Sequence, residues 1–174
     1  LNLSTYMIES SIPLDGLPES IIENNGDIYV GIMMNDDYSD ASIVVKINPI
    51  TEDVISTYEV GDGPTSLLVN DDVIYIARTF YDENWNAFHG TSSIDLKASS
   101  RISIANYGAG TVCGGSVSLF AQKTYRSFEG GVASLNKDLT VNESSLIGNY
   151  DADNVYSVET IGNKVYIGTY DGYV

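Results

Sequence analysis

Four stretches of the chain repeat one phrase, and that repetition leaves few folds open. The clearest copy, residues 61–78 (GDGPTSLLVNDDVIYIAR), leaves a Gly/Pro turn for Leu67-Leu68-Val69. It reverses at Asn70-Asp71-Asp72 and runs through Val73-Ile74-Tyr75-Ile76 to Ala77. Short runs rich in β-branched and aromatic residues, bounded by turn residues, predict a hairpin of two buried strands. The counterparts of Ile74 are Ile28, Ser118 and Val165, spaced 46, 44 and 47 residues apart. A second landmark keeps step: Leu1-Asn2, Ile47-Asn48, Ile94-Asp95 and Leu135-Asn136 recur at spacings of 46, 47 and 41.

Each unit predicts four strands. Strand A follows the Gly-rich turn (residues 19–23 in the first full unit), and strand B is the Ile-Tyr-Val phrase. Strand C ends on an apolar residue followed by Asn or Asp (residues 42–48). Strand D (residues 54–60) alternates and should be the half-wet outer edge. Four antiparallel strands in about 40–50 residues make the blade of a β-propeller. The expected fold is therefore all-β, a β-propeller of about four four-stranded blades. The expected boundaries are an outer strand within 1–17, then units at 18–63, 64–110, 111–153 and 154–174. Tyr29, Tyr75, Leu119 and Tyr166 should share one environment between blades, and Gly31, Ala77, Ala121 and Gly168 should close the B strands where blades crowd. Residues 5–12 should form the outer strand that the last unit lacks. Three closures fit: a segment of a larger propeller, a homodimer completing an eight-bladed ring, or a closed four-bladed ring.

Charge narrows the partners. With 24 acidic against 8 basic residues the chain carries a formal −16, which repels nucleic acid and anionic membrane surfaces. No apolar run is long enough to predict membrane insertion. Cys113 is the only cysteine, so no internal disulfide is expected, and a buried, inert thiol is the expected role. His89 is the only histidine, and no Gly-x-Ser-x-Gly elbow accompanies it. A nucleophilic triad and a multi-histidine metal site are therefore not expected, nor is any cofactor.

Chemistry is expected on the B–C connections, because loops on a rigid scaffold carry function. The first, residues 33–41 (MMNDDYSDA), crowds Asp36, Asp37 and Asp40 around Tyr38. These carboxylates are weak calcium candidates, since the run lacks the spacing and closing Glu of an EF-hand. The second, residues 79–90 (TFYDENWNAFHG), gathers Phe80, Tyr81, Trp85, Phe88 and His89, including the only tryptophan. Exposed aromatics among polar residues mark binding surfaces, although such rings also serve as cover for a neighbouring blade. The third, residues 123–131 (KTYRSFEGG), adds Tyr125, Arg126 and Phe128. Arg78, Lys123 and Arg126 are expected at this same face, where they would suit an anionic or carbonyl-rich ligand. The expected site is thus Trp85, Tyr81, Phe88, Tyr38, Tyr125 and Phe128 as apolar contacts, with Arg78, His89 and Arg126 as polar ones.

The order "Val45-Lys46-Ile47-Asn48, outer strand, Val60-Gly61-Asp62-Gly63-Pro64, Ile74-Tyr75-Ile76-Ala77" resembles the YVTN-type repeat of YncE-like β-propellers. The close, Gly162-Asn163-Lys164-Val165-Tyr166-Ile167-Gly168, is similar to surface lipoproteins of Bacteroidetes. The resemblance implies a location outside the cell, at its surface or in the periplasm, and a non-catalytic role in ligand or nutrient capture. The partner would be a small molecule or a protein such as a transporter. It equally admits a structural surface-layer or assembly scaffold, or a hydrolase or lactonase-like propeller. Its members are commonly seven-bladed, and no lipidation cysteine stands here, since Cys113 is internal.

Overall fold

The protein is described by a computed structural model over residues 2–107, 117–120, 122–128, 131–145 and 155–169. Within them the chain is all-β, apart from one 3-10 turn at Glu143–Ser145. Strands pair antiparallel with their sequence neighbours. The first sheet contains β1 (Leu17–Asn24), β2 (Asp27–Met34), β3 (Asp40–Asn48) and β4 (Asp53–Glu59). The second contains β5 (Pro64–Asn70), β6 (Val73–Tyr81), β7 (Ala87–Asp95) and β8 (Arg101–Asn106). A three-stranded sheet follows, of β9 (Val117–Phe120), β10 (Lys123–Phe128) and β11 (Gly131–Ser134). A two-stranded sheet of β12 (Val155–Ile161) and β13 (Lys164–Thr169) comes last.

Turn chemistry sets the register. Asn24 pairs with Asp27, and the two residues between them, Asn25 (φ 54°) and Gly26 (φ 85°), both take left-handed angles. That is the geometry of a two-residue hairpin whose twist matches the strands, and Asn-Gly is its preferred sequence. The sheets then stack in chain order through their first strands: β1 lies against β5, β5 against β9, and β9 against β12. Gly31 shows how close the first contact is. A Cβ there would lie 2.9 Å from Ser20 Oγ and 3.3 Å from the Pro64 carbonyl, so a side chain would push the second sheet away.

The seams between sheets differ in chemistry. The first is apolar: Tyr29 and Val44 of the first sheet and Val60 pack on Leu67, Ile74, Ile76 and Ile94 of the second. Around the second sheet's other side, Thr91, Ser93, Thr124 and Arg126 are all buried. The Tyr107 hydroxyl bridges there, donating to the Leu139 carbonyl at 2.6 Å and sharing a 2.6 Å hydrogen bond with the Thr91 hydroxyl. The third seam is apolar again, with Tyr125, Val132, Val158 and Ile167 in one cluster.

Two expectations about order along the chain are corrected. Residues 118–120 were expected in strand B of the third unit, but they belong to its first strand, β9. The second strand is β10, which brings Tyr125, not Leu119, to the position of Tyr29, Tyr75 and Tyr166. Each of these tyrosines lies two places into its strand, after a short hairpin turn. Ser127 therefore stands where Gly31, Ala77 and Gly168 stand, and Ala121 lies outside the described residues, as does Cys113. Second, no strand forms over residues 5–12. Ile12 and Leu14 instead pack on the far face of the first sheet, against the cluster of Val30, Ile32, Ala41, Val45 and Ile47. Among the described residues, no helix is long and apolar enough to cross a membrane.

Candidate functional site

Two short connections build the site. Residues 35–39 link β2 to β3, and residues 82–86 link β6 to β7, because the flanking strands run further than the sequence suggests. Both adopt the same five-residue turn. The first residue's amide donates to the fifth's carbonyl (Asn35 to Ser39, 2.8 Å; Asp82 to Asn86, 3.1 Å). The fourth's amide donates back to the first's carbonyl (Tyr38 to Asn35, 3.0 Å; Trp85 to Asp82, 2.9 Å). The fourth residue takes a left-handed φ, +65° at Tyr38 and +62° at Trp85.

Side chains lock these turns. Asp37 Oδ1 accepts the Ser39 amide at 3.0 Å and the Ser39 hydroxyl at 2.6 Å, and those bonds hold its carboxyl below the usual value. Asp82 accepts the amides of Asn84 and Asn86 at 2.8 and 2.9 Å and the Asn86 side-chain amide at 2.9 Å, with the same effect on its carboxyl. Asp40 joins the two sheets, its Oδ2 accepting the Tyr81 amide at 3.0 Å.

Between the turns lies an open groove of about 300 Å³, lined by Tyr38, Ser39, Asp40, Tyr81, Asp82, Glu83 and Trp85. Tyr38 is 65% and Trp85 67% exposed, and the Tyr81 and Trp85 rings sit 5.8 Å apart at 51°. A third turn of the same kind, residues 136–140, shows what this geometry does not require. Leu139 holds its left-handed position (φ 68°) with its side chain buried. The turn therefore tolerates an inward residue, and the outward aromatic rings of the other two are not dictated by it.

The remaining expected site residues go elsewhere. Arg78 is 2% exposed, inside the second sheet. Its guanidinium donates to the carbonyls of Asp62 at 3.1 Å and Ala105 at 3.3 Å and to Asn106 Oδ1, and it lies 5.3 Å from the Phe80 ring centre. Burial draws its pKa below the usual arginine value. Gly90 makes room for it, since a Cβ there would run into the guanidinium and lie 2.8 Å from the Ala105 carbonyl. Arg126 is fully buried on β10, at the strand position of Val30, Ile76 and Ile167. Lys123 is exposed, but at the opposite end of β10, beside the β9–β10 turn. Lys123 is thus parted from Arg78 and Arg126, and both arginines, which share Tyr107 as a neighbour, are buried, so the three basic groups are not presented together at one face.

His89 is half-buried on β7, its Nδ1 3.1 Å from Thr79 Oγ1. Burial, and then the charge of Arg126, lower its pKa to about 4, so it is neutral at pH 7. Phe88 stacks on Phe80 across the β6–β7 pair, with ring centres 6.0 Å apart. Tyr125 is buried in the core, and Phe128 ends β10, paired with Gly131. Of the nine expected contacts the groove unites Tyr38, Tyr81 and Trp85, and adds Ser39, Asp82 and Glu83, which were not expected. Asp36 is exposed on the first turn. Among the described residues, no group of three or more His, Cys, Asp or Glu side chains is arranged to hold a metal ion. The Asn-x-Asp-x-Ser/Thr pattern, present at 35–39 and 136–140, was the available signal for the turn.

No known family model matches the chain, and no curated protein matches it. Among solved structures, it is similar to the extracellular domain assigned to a one-component system, BT4673, of B. thetaiotaomicron. The identity is 10% and the TM-score 0.46, and the match covers 94% of this chain and 27% of that one. The chain thus spans about a quarter of that neighbour's length, and the match says nothing of what this chain binds.

Proposed function

We propose that the chain is a β-propeller, or part of one, whose groove between residues 35–39 and 82–86 recognises a small molecule without chemical conversion. Chain-order stacking of antiparallel sheets through their first strands supports the propeller reading. The observation that carries the recognition reading is the pair of matched turns, each holding an exposed aromatic ring at a left-handed φ. Left-handed backbone costs a non-glycine residue on the order of 1 kcal/mol, and an exposed ring regains little of that from the fold. Aromatic rings on such loops are typical anchors for a bound partner. As the resemblance implies, such a module would act outside the cell.

Screening a fragment library by ligand-observed NMR tests this. Compounds that bind the parent protein should lose their signal with the Tyr38→Ala/Trp85→Ala variant. Hits that bind both proteins equally would contradict the reading.

A second reading, an assembly scaffold, is supported by the far face of the first sheet. Ile21, Ile28, Val30 and Ile47 there occupy the strand positions of Leu67, Ile74, Ile76 and Ile94, which in the second sheet are covered by the first. Yet Ile21 is 67% exposed beside an apolar groove of about 400 Å³. A further sheet laid on this face, from a second copy of the chain, would complete the stack.

A further inference from the structure

The groove's charge and size say what kind of molecule it suits. Three carboxylates line it, those of Asp40, Asp82 and Glu83, and no Lys, Arg or His does. Asp82 is committed to three N–H donors of its own turn and stays ionised well below neutral pH. Asp36 and Asp37 on the neighbouring turn add to the same field, and the whole chain carries −16. The other lining groups of any size are the three rings of Tyr38, Tyr81 and Trp85. The 51° inclination keeps the Tyr81 and Trp85 rings from closing face to face, and Trp85 remains 67% exposed. Aromatic faces attract cations through their quadrupole, most strongly for Trp, and neighbouring carboxylates add a longer-range attraction. A volume of about 300 Å³ lies at the small end of ligand sites, which suits a compact molecule better than a folded partner.

We infer that the groove binds a free small organic cation, a quaternary ammonium or guanidinium compound, with the charged head against Trp85 and Tyr38. This rests on the recognition reading above and narrows it. Glu83 is the exposed carboxylate not engaged in locking its turn, so it supplies the adjustable counter-charge, while Asp82 and Asp40 fix the geometry.

Trp85 is the only tryptophan, so its emission reports the groove directly. Tetramethylammonium, choline, arginine amide, glucose and acetate are titrated against the intact protein, alongside a short peptide carrying trimethyllysine. The expected result is saturable quenching by the cations and none by acetate, with affinity falling as salt is raised. Glu83→Gln should weaken choline about threefold, and Trp85→Leu, followed by calorimetry, about tenfold or more, each with an unchanged far-UV spectrum. Binding of glucose but not of the cations would overturn the cation assignment and leave recognition standing. Tighter binding of the peptide than of choline would overturn the small-molecule assignment. Failure of every probe to bind would overturn the proposal itself. Retention of the fragment hits lost with the Tyr38→Ala/Trp85→Ala variant would then show that recognition had survived it.

Discussion

Trp85 and His89 are four residues apart in one hairpin, and the sequence treats them alike, as lone residues of their kind in an aromatic loop. The structure separates them. Trp85 tops a turn that leaves its ring in water, whereas His89 lies back on β7, held neutral by its burial and then by the charge of Arg126. Residue type alone could not reveal this, because burial depends on which sheet stacks where. The same holds for Arg78, whose charge is met by the backbone carbonyls of Asp62 and Ala105 and by Asn106; no sequence pattern announces carbonyl ligands. The histidine makes a pH prediction. Its folded pKa, about 4, lies below the ordinary value near 6.5, so the unfolded chain binds the proton more tightly. Its contribution is present above the unfolded value and is lost as pH falls through the window between the two. Melting temperatures measured from pH 7 to pH 4.5 should fall less steeply for His89→Gln than for the parent. Parallel slopes would mean that His89 is solvated.

At the level of strands and turns, the first two sheets were legible almost residue by residue. Their strands alternate or run apolar, and Asn25-Gly26 and Asn70-Asp71-Asp72 mark the reversals. The third sheet was not, for a physical reason. Thr124 and Arg126 stand on β10 where Ile74 and Ile76 stand on β6, so the strand read as a polar loop. The apolar Leu119-Phe120 pair then drew the repeat out of register by one strand. The register now observed predicts a difference between two substitutions. Tyr125 is 7% exposed in the cluster with Val132, Val158 and Ile167, so Tyr125→Ala should cost about 3–5 kcal/mol in urea unfolding. Leu119→Ala, on a half-buried side chain, should cost clearly less. Equal or reversed costs would restore the register in which Leu119 is the core residue.

Across the whole molecule, the stacked sheets serve as a frame that brings two distant turns, 35–39 and 82–86, to one groove, tied by Asp40 to the Tyr81 amide. The repeat made the frame legible and the aromatic loop suggestive. The groove itself was not, because it depends on two sheets meeting and on two turns sharing one backbone form. Its lining is acidic, where Arg78, Lys123 and Arg126 had suggested a basic one. The central claim is that the exposed rings at these turns serve a contact outside the chain and not the fold. The unfolding free energy of Trp85→Gly, measured by far-UV circular dichroism in urea, tests it most directly. Glycine accepts the left-handed angle freely, and the substitution gives up the partial contact with Tyr81. The expected change is less than about 1 kcal/mol in either direction. A loss of about 3 kcal/mol or more, as for a buried aromatic, would make Trp85 a structural cover and contradict it.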